Sequence, residues 1–247
     1  VIIWSWSHGK EGRVPSSSNE ERGARILEAA AQLIVRWGYK KTTVDDIARE
    51  AGVAKGTIYL HWKTREELFK AVLTREELLL VDEMRARIVD DPEGTTLHGM
   101  MKHAIYVTLK RPIWKAVLTQ DAEMLGELTR SEYATQAAQE NVKNFYVYFE
   151  TLRSQGLIRT DLDVKQFVYL LTTITMGFLI SDPFVPDEFK VSDEEAAEML
   201  ADTIKRTFAS RAPTVAAKQE ELAQAFNHYF DHEVDMLKQR VQEGETL

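Results

Sequence analysis

The chain has 247 residues, 44% hydrophobic and 28% charged, with 12 Gly, 6 Pro and no Cys. That composition supports a packed core and excludes a disordered, collagen-like or linker-like chain. The missing cysteine removes disulfides, thiolate metal sites, iron–sulfur clusters and cysteine nucleophiles. It also fits a reducing compartment, so a cytoplasmic protein is expected. The net charge of −8 is unevenly spread, with +3 on residues 1–70 and −11 on the rest. A mildly basic front is the part suited to approach phosphate. No apolar run approaches the roughly 20 residues that span a bilayer, so no membrane partner is expected.

The apolar start Val1–Trp6 precedes its basic residues Lys10 and Arg13, the reverse of a secretory signal. With Ser16–Ser18, it makes residues 1–17 a flexible arm. Helical spacing then dominates. Ser18 with Glu21 reads as a capping box for a helix ending at Trp37–Gly38. Thr43 with Asp46 caps a short second helix that Gly52 ends. A third runs from about Ala54 to His61, and Thr64 with Glu67 caps a fourth that lasts to the Asp91–Gly94 break. Further helices are expected near Leu97–Thr108, Trp114–Leu125, Glu132–Gln155, Asp163–Ile180, Ser192–Phe208 and Val215–Gln242. No stretch alternates with period two, so the fold class is all-α.

The stretch Thr43–Leu68 is the most informative. Two short helices meet at Ala51–Gly52–Val53, with small Ala48 permitting a close crossing and Ile47, Val53 and Ile58 facing the first helix. This is a helix-turn-helix, whose second helix enters the DNA major groove. The flanks extend the match: Trp37–Gly38–Tyr39, Thr42–Thr43–Val44–Asp45–Asp46–Ile47–Ala48, Gly52 to Tyr59, His61–Trp62–Lys63 and Arg65 to Leu68. Over residues 20–70 the sequence resembles the TetR family of bacterial transcriptional regulators. Trp62 stands where that family usually has Phe, and Arg65 where it usually has Lys.

The resemblance implies an N-terminal three-helix DNA-binding domain (18–66) followed by a helical ligand-binding and dimerisation domain (67–247). It implies a homodimeric regulator of a palindromic double-stranded operator, by family default a repressor released by a small molecule, with an activator of the same fold as the alternative, and no enzyme. The expected DNA contacts are Thr43, Lys55, Gly56, Thr57, Tyr59, His61, Lys63 and Arg65. Lys55 and Thr57 sit where side chains reach base edges. Gly56 lets backbone approach the duplex, and Tyr59 offers a hydroxyl to phosphate. Lys63 and Arg65 stand at a helix N-terminus that favours anions. Thr43 reads equally well as a cap alone, and Trp62 as a core aromatic.

For a small apolar or aromatic ligand, the candidate walls are Met101, Tyr106, Trp114, Met124, Phe145, Tyr148, Phe149, Tyr169 and Met176, with His103 as a polar group. The helices Val164–Ile180 and Ser192–Phe208 occupy the family's dimer positions. The first is apolar around most of its girth, which calls for burial against a second subunit. No cofactor or metal is expected. His228 and His232 share a helix face but read as a solvated pair, and no Glu-x-x-His motif, phosphate loop or nucleophile elbow is present. The remaining rival is a helical partner-binding protein, which would not need Lys55, Gly56, Tyr59, Lys63 and Arg65 around a turn between capped helices.

Overall fold

The computed structural model describes residues 17–130, 146, 148–210, 224, 226–227, 230–232 and 234–239. Most of these are helical, and the described residues contain no strand, only an isolated bridge between Ile158 and Ala209. The order is α1 (Ser17–Trp37), α2 (Val44–Ala51), α3 (Lys55–His61), α4 (Arg65–Val89), α5 (Leu97–Leu109), α6 (Pro112–Leu118) and α7 (Ala122–Leu125). Residues 148–154 form α8, followed by α9 (Val164–Ile180), α10 (Asp193–Phe208) and a last helical stretch at 230–232 and 234–239, α11.

Local chemistry sets most of these ends. Thr43, Asp163 and Ser192 each cap a helix through a reciprocal box with Asp46, Gln166 and Glu195. Thr64 accepts from the Glu67 amide, but the Glu67 carboxylate takes the Lys63 amide at 2.8 Å, one residue earlier than in a regular box. Gly52 turns α2 toward α3 in the left-handed region, φ 65°. Gly99 is a close approach of a different kind, because a Cβ there would lie 2.0 Å from the Glu93 carbonyl oxygen.

Three expectations are corrected. Ser18 lies inside α1, which begins at Ser17, and so does not cap it. The single helix expected over Trp114–Leu125 is two. Gln120 takes φ 53°, and Asp121 caps a new turn by accepting from the Glu123 and Met124 amides. Where the sequence suggests a plain loop at Asp182–Pro186, a short 3-10 turn forms at Asp182–Phe184, and another follows at Asp187–Phe189. Most of the helices expected at 132–155 and 215–242 lies outside the described residues, as do Phe145 and His228.

Two apolar cores form. The N-terminal one gathers Ile26, Leu33 and Ile34 of α1, Ile47 of α2, Ile58 of α3, and Leu68, Phe69, Val72 and Leu73 of α4. It also takes Ile113, Ala116, Leu125 and Leu128, so it reaches well past residue 66. The second core holds Leu80, Val81, Met84 and Ile88 of α4 with residues of α5, α8, α9, α10 and the C-terminal helix. Its centre is the aromatic row Phe149–Phe167–Phe208, at 4.0 and 4.6 Å. Helix α4 is therefore shared, its first turns belonging to one core and its last to the other. Where the cores meet, buried Thr74, Glu76 and Glu77 interrupt its apolar face.

Polar ties lock the rear helices. α10 lies along α5 and is held there by Tyr106–Glu194 at 3.0 Å, Lys110–Asp193 at 2.9 Å and Lys205–Glu93 at 2.9 Å. Asp91, just past α4, accepts from Lys102 at 2.5 Å and His103 at 2.8 Å. Arg85–Asp231, at 2.9 Å, ties the C-terminal helix to α4.

Candidate nucleic-acid interface

The outward face of α3 follows from helix geometry. At about 100° per residue, the buried Ile58 sets the inward direction. Gly56 and Leu60 then fall almost opposite it, with Thr57 and Tyr59 to either side. Tyr59 is 42% exposed and Leu60 86% exposed. A Cβ at Gly56 would meet nothing within 4 Å. The helix thus presents a bare ridge that a duplex can approach closely.

The charged residues around this ridge divide into three groups. Lys55, at the start of α3, pairs with Asp45 of α2 at 2.8 Å, and that carboxylate raises the lysine's pKa. A phosphate recruiting Lys55 must compete with Asp45. Lys63 is exposed, but its amide is taken by Glu67. The Glu67 carboxylate thus stands beside the start of α4, where an incoming phosphate would meet it.

Arg65 turns inward. Its guanidinium lies 3.9 Å from the Tyr39 ring centroid and 4.7 Å from that of Phe69. It donates to the Tyr39 carbonyl and, at 3.2 Å, to that of Thr42. The residue expected at phosphate instead staples the α1–α2 turn to the first turn of α4. Planar Arg suits this stacked, multiply bonded place better than Lys. His61 also faces inward, against Gly23 of α1 and stacked on Trp62 at 5.2 Å. Burial, followed by the nearby Arg22, lowers its pKa. Trp62 packs on the N-terminal core. The Thr43 hydroxyl donates to Asp46 Oδ2 at 2.6 Å and accepts from the Asp46 amide, so it acts first as a cap.

The expected ligand walls do not converge on one site. Trp114, His103, Tyr148 and Phe149 are buried in the rear domain, with Met101, Tyr106 and Met176 packed beside them. Tyr148 donates to the Thr95 carbonyl at 2.8 Å. Met124 belongs to the other core, because α7 folds under α1, where its carbonyl accepts from the Tyr39 amide at 2.7 Å. Tyr169 is 73% exposed, on the side of α9 opposite Phe167. A groove of about 510 Å³ lies instead where α1, α4 and α6 meet, lined by Glu28, Gln32, Arg75, Glu76, Arg111 and Ile113. Arg75–Glu28 at 2.5 Å and Arg111–Glu83 at 2.7 Å cross this joint. These pairs join residues 47 and 28 positions apart, so no sequence spacing announces them. Leu60 was also missed, because a leucine in a helical pattern reads as core.

No helix among the described residues is long and apolar enough to cross a membrane. Those residues also contain no group of three His, Asp or Glu able to hold a metal ion.

Comparison with known proteins identifies this arrangement. Residues 26–72 match the family model described as bacterial regulatory proteins, tetR family. The HTH-type transcriptional regulator YhgD of Bacillus subtilis is 36% identical over 91 residues, 36% of this chain and 46% of YhgD. The chain thus spans less than half of that relative. The repressor KstR2 of Mycobacterium tuberculosis is 29% identical over 158 residues, covering 62% of this chain and 76% of KstR2. Among solved structures, a protein assigned as a transcriptional regulator from Saccharomonospora viridis, in complex with choline, superposes with a TM-score of 0.58 at 21% identity. That match covers 78% of this chain and all of the other, and it establishes the shared fold. Residues 26–72, with the capped α2–α3 pair among them, are thus a helix-turn-helix segment of the bacterial tetR type.

Proposed function

We propose that the chain is a repressor that binds a two-fold operator as a homodimer and is released by a small molecule. The observation that carries the release is α4, one unbroken 25-residue helix whose two halves sit in different cores. A change in rear packing moves the same rigid rod that carries the DNA-binding core. KstR2, a relative, is a repressor, which favours that sense of regulation. The ligand must prefer one of two arrangements to shift their balance. Met101, Tyr106, Trp114, Tyr148, Phe149 and Met176, with His103 as polar group, remain the residues best suited to an apolar or aromatic molecule. The Saccharomonospora viridis protein holds choline, a small organic cation that also has apolar methyl groups. Phe145 would belong with the same walls but lies outside the described residues.

The homodimer rests on exposed apolar side chains of α9, the loop that follows it and α10. Tyr169 and Ile180 of α9, Phe184, Phe189 and Val191 of the following loop, and Met199 of α10 are each at least 49% exposed. Large apolar side chains left in water in this number are one mark of a protein–protein interface. At the operator, Lys55, Gly56, Thr57, Tyr59 and Lys63 make the contacts, with Thr43 free to touch phosphate beyond its capping role. Arg65 and His61 hold the headpiece in shape.

Because the chain has no cysteine, Glu50→Cys gives a single labelling site on exposed α2. Spin labels there should report an inter-subunit distance that narrows to one population on duplex DNA. With a compound that releases the duplex, the mean distance should move. No dipolar coupling in solution contradicts the dimer, and identical distributions in the DNA-bound and released states contradict transmission through α4.

A further inference from the structure

We propose that Leu60 is a specificity residue that reads the C5-methyl group of a thymine in each operator half-site. This rests on the DNA-binding reading above and extends it to a residue outside the expected contacts. Leu60 has the highest exposure of any large hydrophobic side chain among the described residues, at 86%. It stands on α3 almost opposite the buried Ile58, one turn from Gly56, where a Cβ would meet nothing within 4 Å. The bare glycine lets the helix sit deep, and depth brings the leucine to the floor of a groove rather than its rim. Its surroundings suit a polyanion. Asp45 of α2 is already paired with Lys55 at 2.8 Å, and exposed Lys63 follows just beyond α3.

A leucine offers no hydrogen bond, so it cannot read guanine, adenine or cytosine edges. The apolar group on the major-groove edge of the four bases is the thymine methyl. Contact between the two removes both from water, and a methyl-sized contact is worth about fourfold in affinity per half-site, roughly 0.8 kcal/mol. The same contact explains why an exposed leucine occupies a surface that gains nothing from it in the free protein.

The test uses the full-length protein and a duplex selected from a random pool, with each thymine replaced singly by deoxyuridine, which lacks only that methyl. One symmetry-related pair of positions should weaken binding about fourfold per replaced base, and Leu60→Ala should bind the thymine and uracil duplexes equally. Because Leu60 is 86% exposed, the variant should keep the wild-type circular dichroism and melting temperature. Tolerance of uracil at every position overturns the proposal, as does a Leu60→Ala protein that keeps the wild-type methyl preference. If no duplex is selected at all, the DNA-binding reading fails with it. A selected duplex without methyl dependence removes the Leu60 assignment alone.

Discussion

Arg65→Ala should destabilise the N-terminal core by about 3 kcal/mol. The guanidinium is half-buried between Tyr39 and Phe69 and satisfies the carbonyls of Tyr39 and Thr42. Charged hydrogen bonds of this kind contribute about 1.5–3 kcal/mol, and stacking over rings adds on the order of 0.5–1 kcal/mol. Truncation also leaves two main-chain acceptors facing an apolar gap. In a chain of this size the loss corresponds to a fall in melting temperature of roughly 6–12 °C. Arg65→Lys should recover only part of it, since an ammonium cannot stack and fork as a guanidinium does. The melting curve decides the role. A phosphate contact alone predicts Arg65→Ala melting with the wild type while losing duplex affinity, whereas the inward geometry predicts that both fall together.

The second large effect lies at the other end of α4. Asp91 accepts from Lys102 at 2.5 Å, His103 at 2.8 Å and the Glu93 amide at 3.0 Å. Against the opposing effect of its own burial, these donors hold its pKa at about 2. Asp91→Ala removes the common acceptor, leaves buried His103 without it and leaves half-buried Lys102 only Glu198 at 3.6 Å, at a cost of about 3 kcal/mol. Chemical denaturation at pH 7.5 should read this directly, and a loss below 1 kcal/mol would refute the buried cluster.

Acid should reproduce part of the same loss. The depressed Asp91 pKa gives stability that is complete above the ordinary carboxylate value near 3.8 and disappears as pH falls toward 2. His103 acts earlier. Burial lowers its pKa despite Asp91, so its contribution is complete above the usual 6.5 and declines as pH drops below it. His98 and His61 shift in the same direction, also through burial. Melting temperature should therefore drop between pH 7.5 and 5.5, less steeply in His103→Asn. Equal slopes in the two proteins would remove His103 from this account.

What was legible in the sequence was local. Capping at Thr43, Asp163 and Ser192 needs only a partner three residues on, and the α2–α3 turn announces itself through Ala48, Gly52 and Ile58. Errors arose where a residue's partner is distant or its backbone unusual. Arg65 reads as a phosphate ligand in the sequence, because the carbonyls it meets in the fold lie 26 and 23 residues earlier. Gln120 breaks an apparently continuous helix by taking a left-handed conformation that periodicity does not reveal. Tyr169 was counted as a pocket wall because α9 is apolar on most sides, and only the packing shows which side faces out. Met124 was assigned to the rear domain by its position in the chain, yet α7 returns to the front core.

Selection of bound sequences from a random duplex pool by the full-length protein tests the central claim most directly. Two α3 ridges carried by a two-fold dimer predict enrichment of an inverted repeat, its half-site centres about one helical turn, roughly 34–36 Å, or a small multiple of that apart. A lone asymmetric site, a direct repeat, or no enrichment over the starting pool would contradict it.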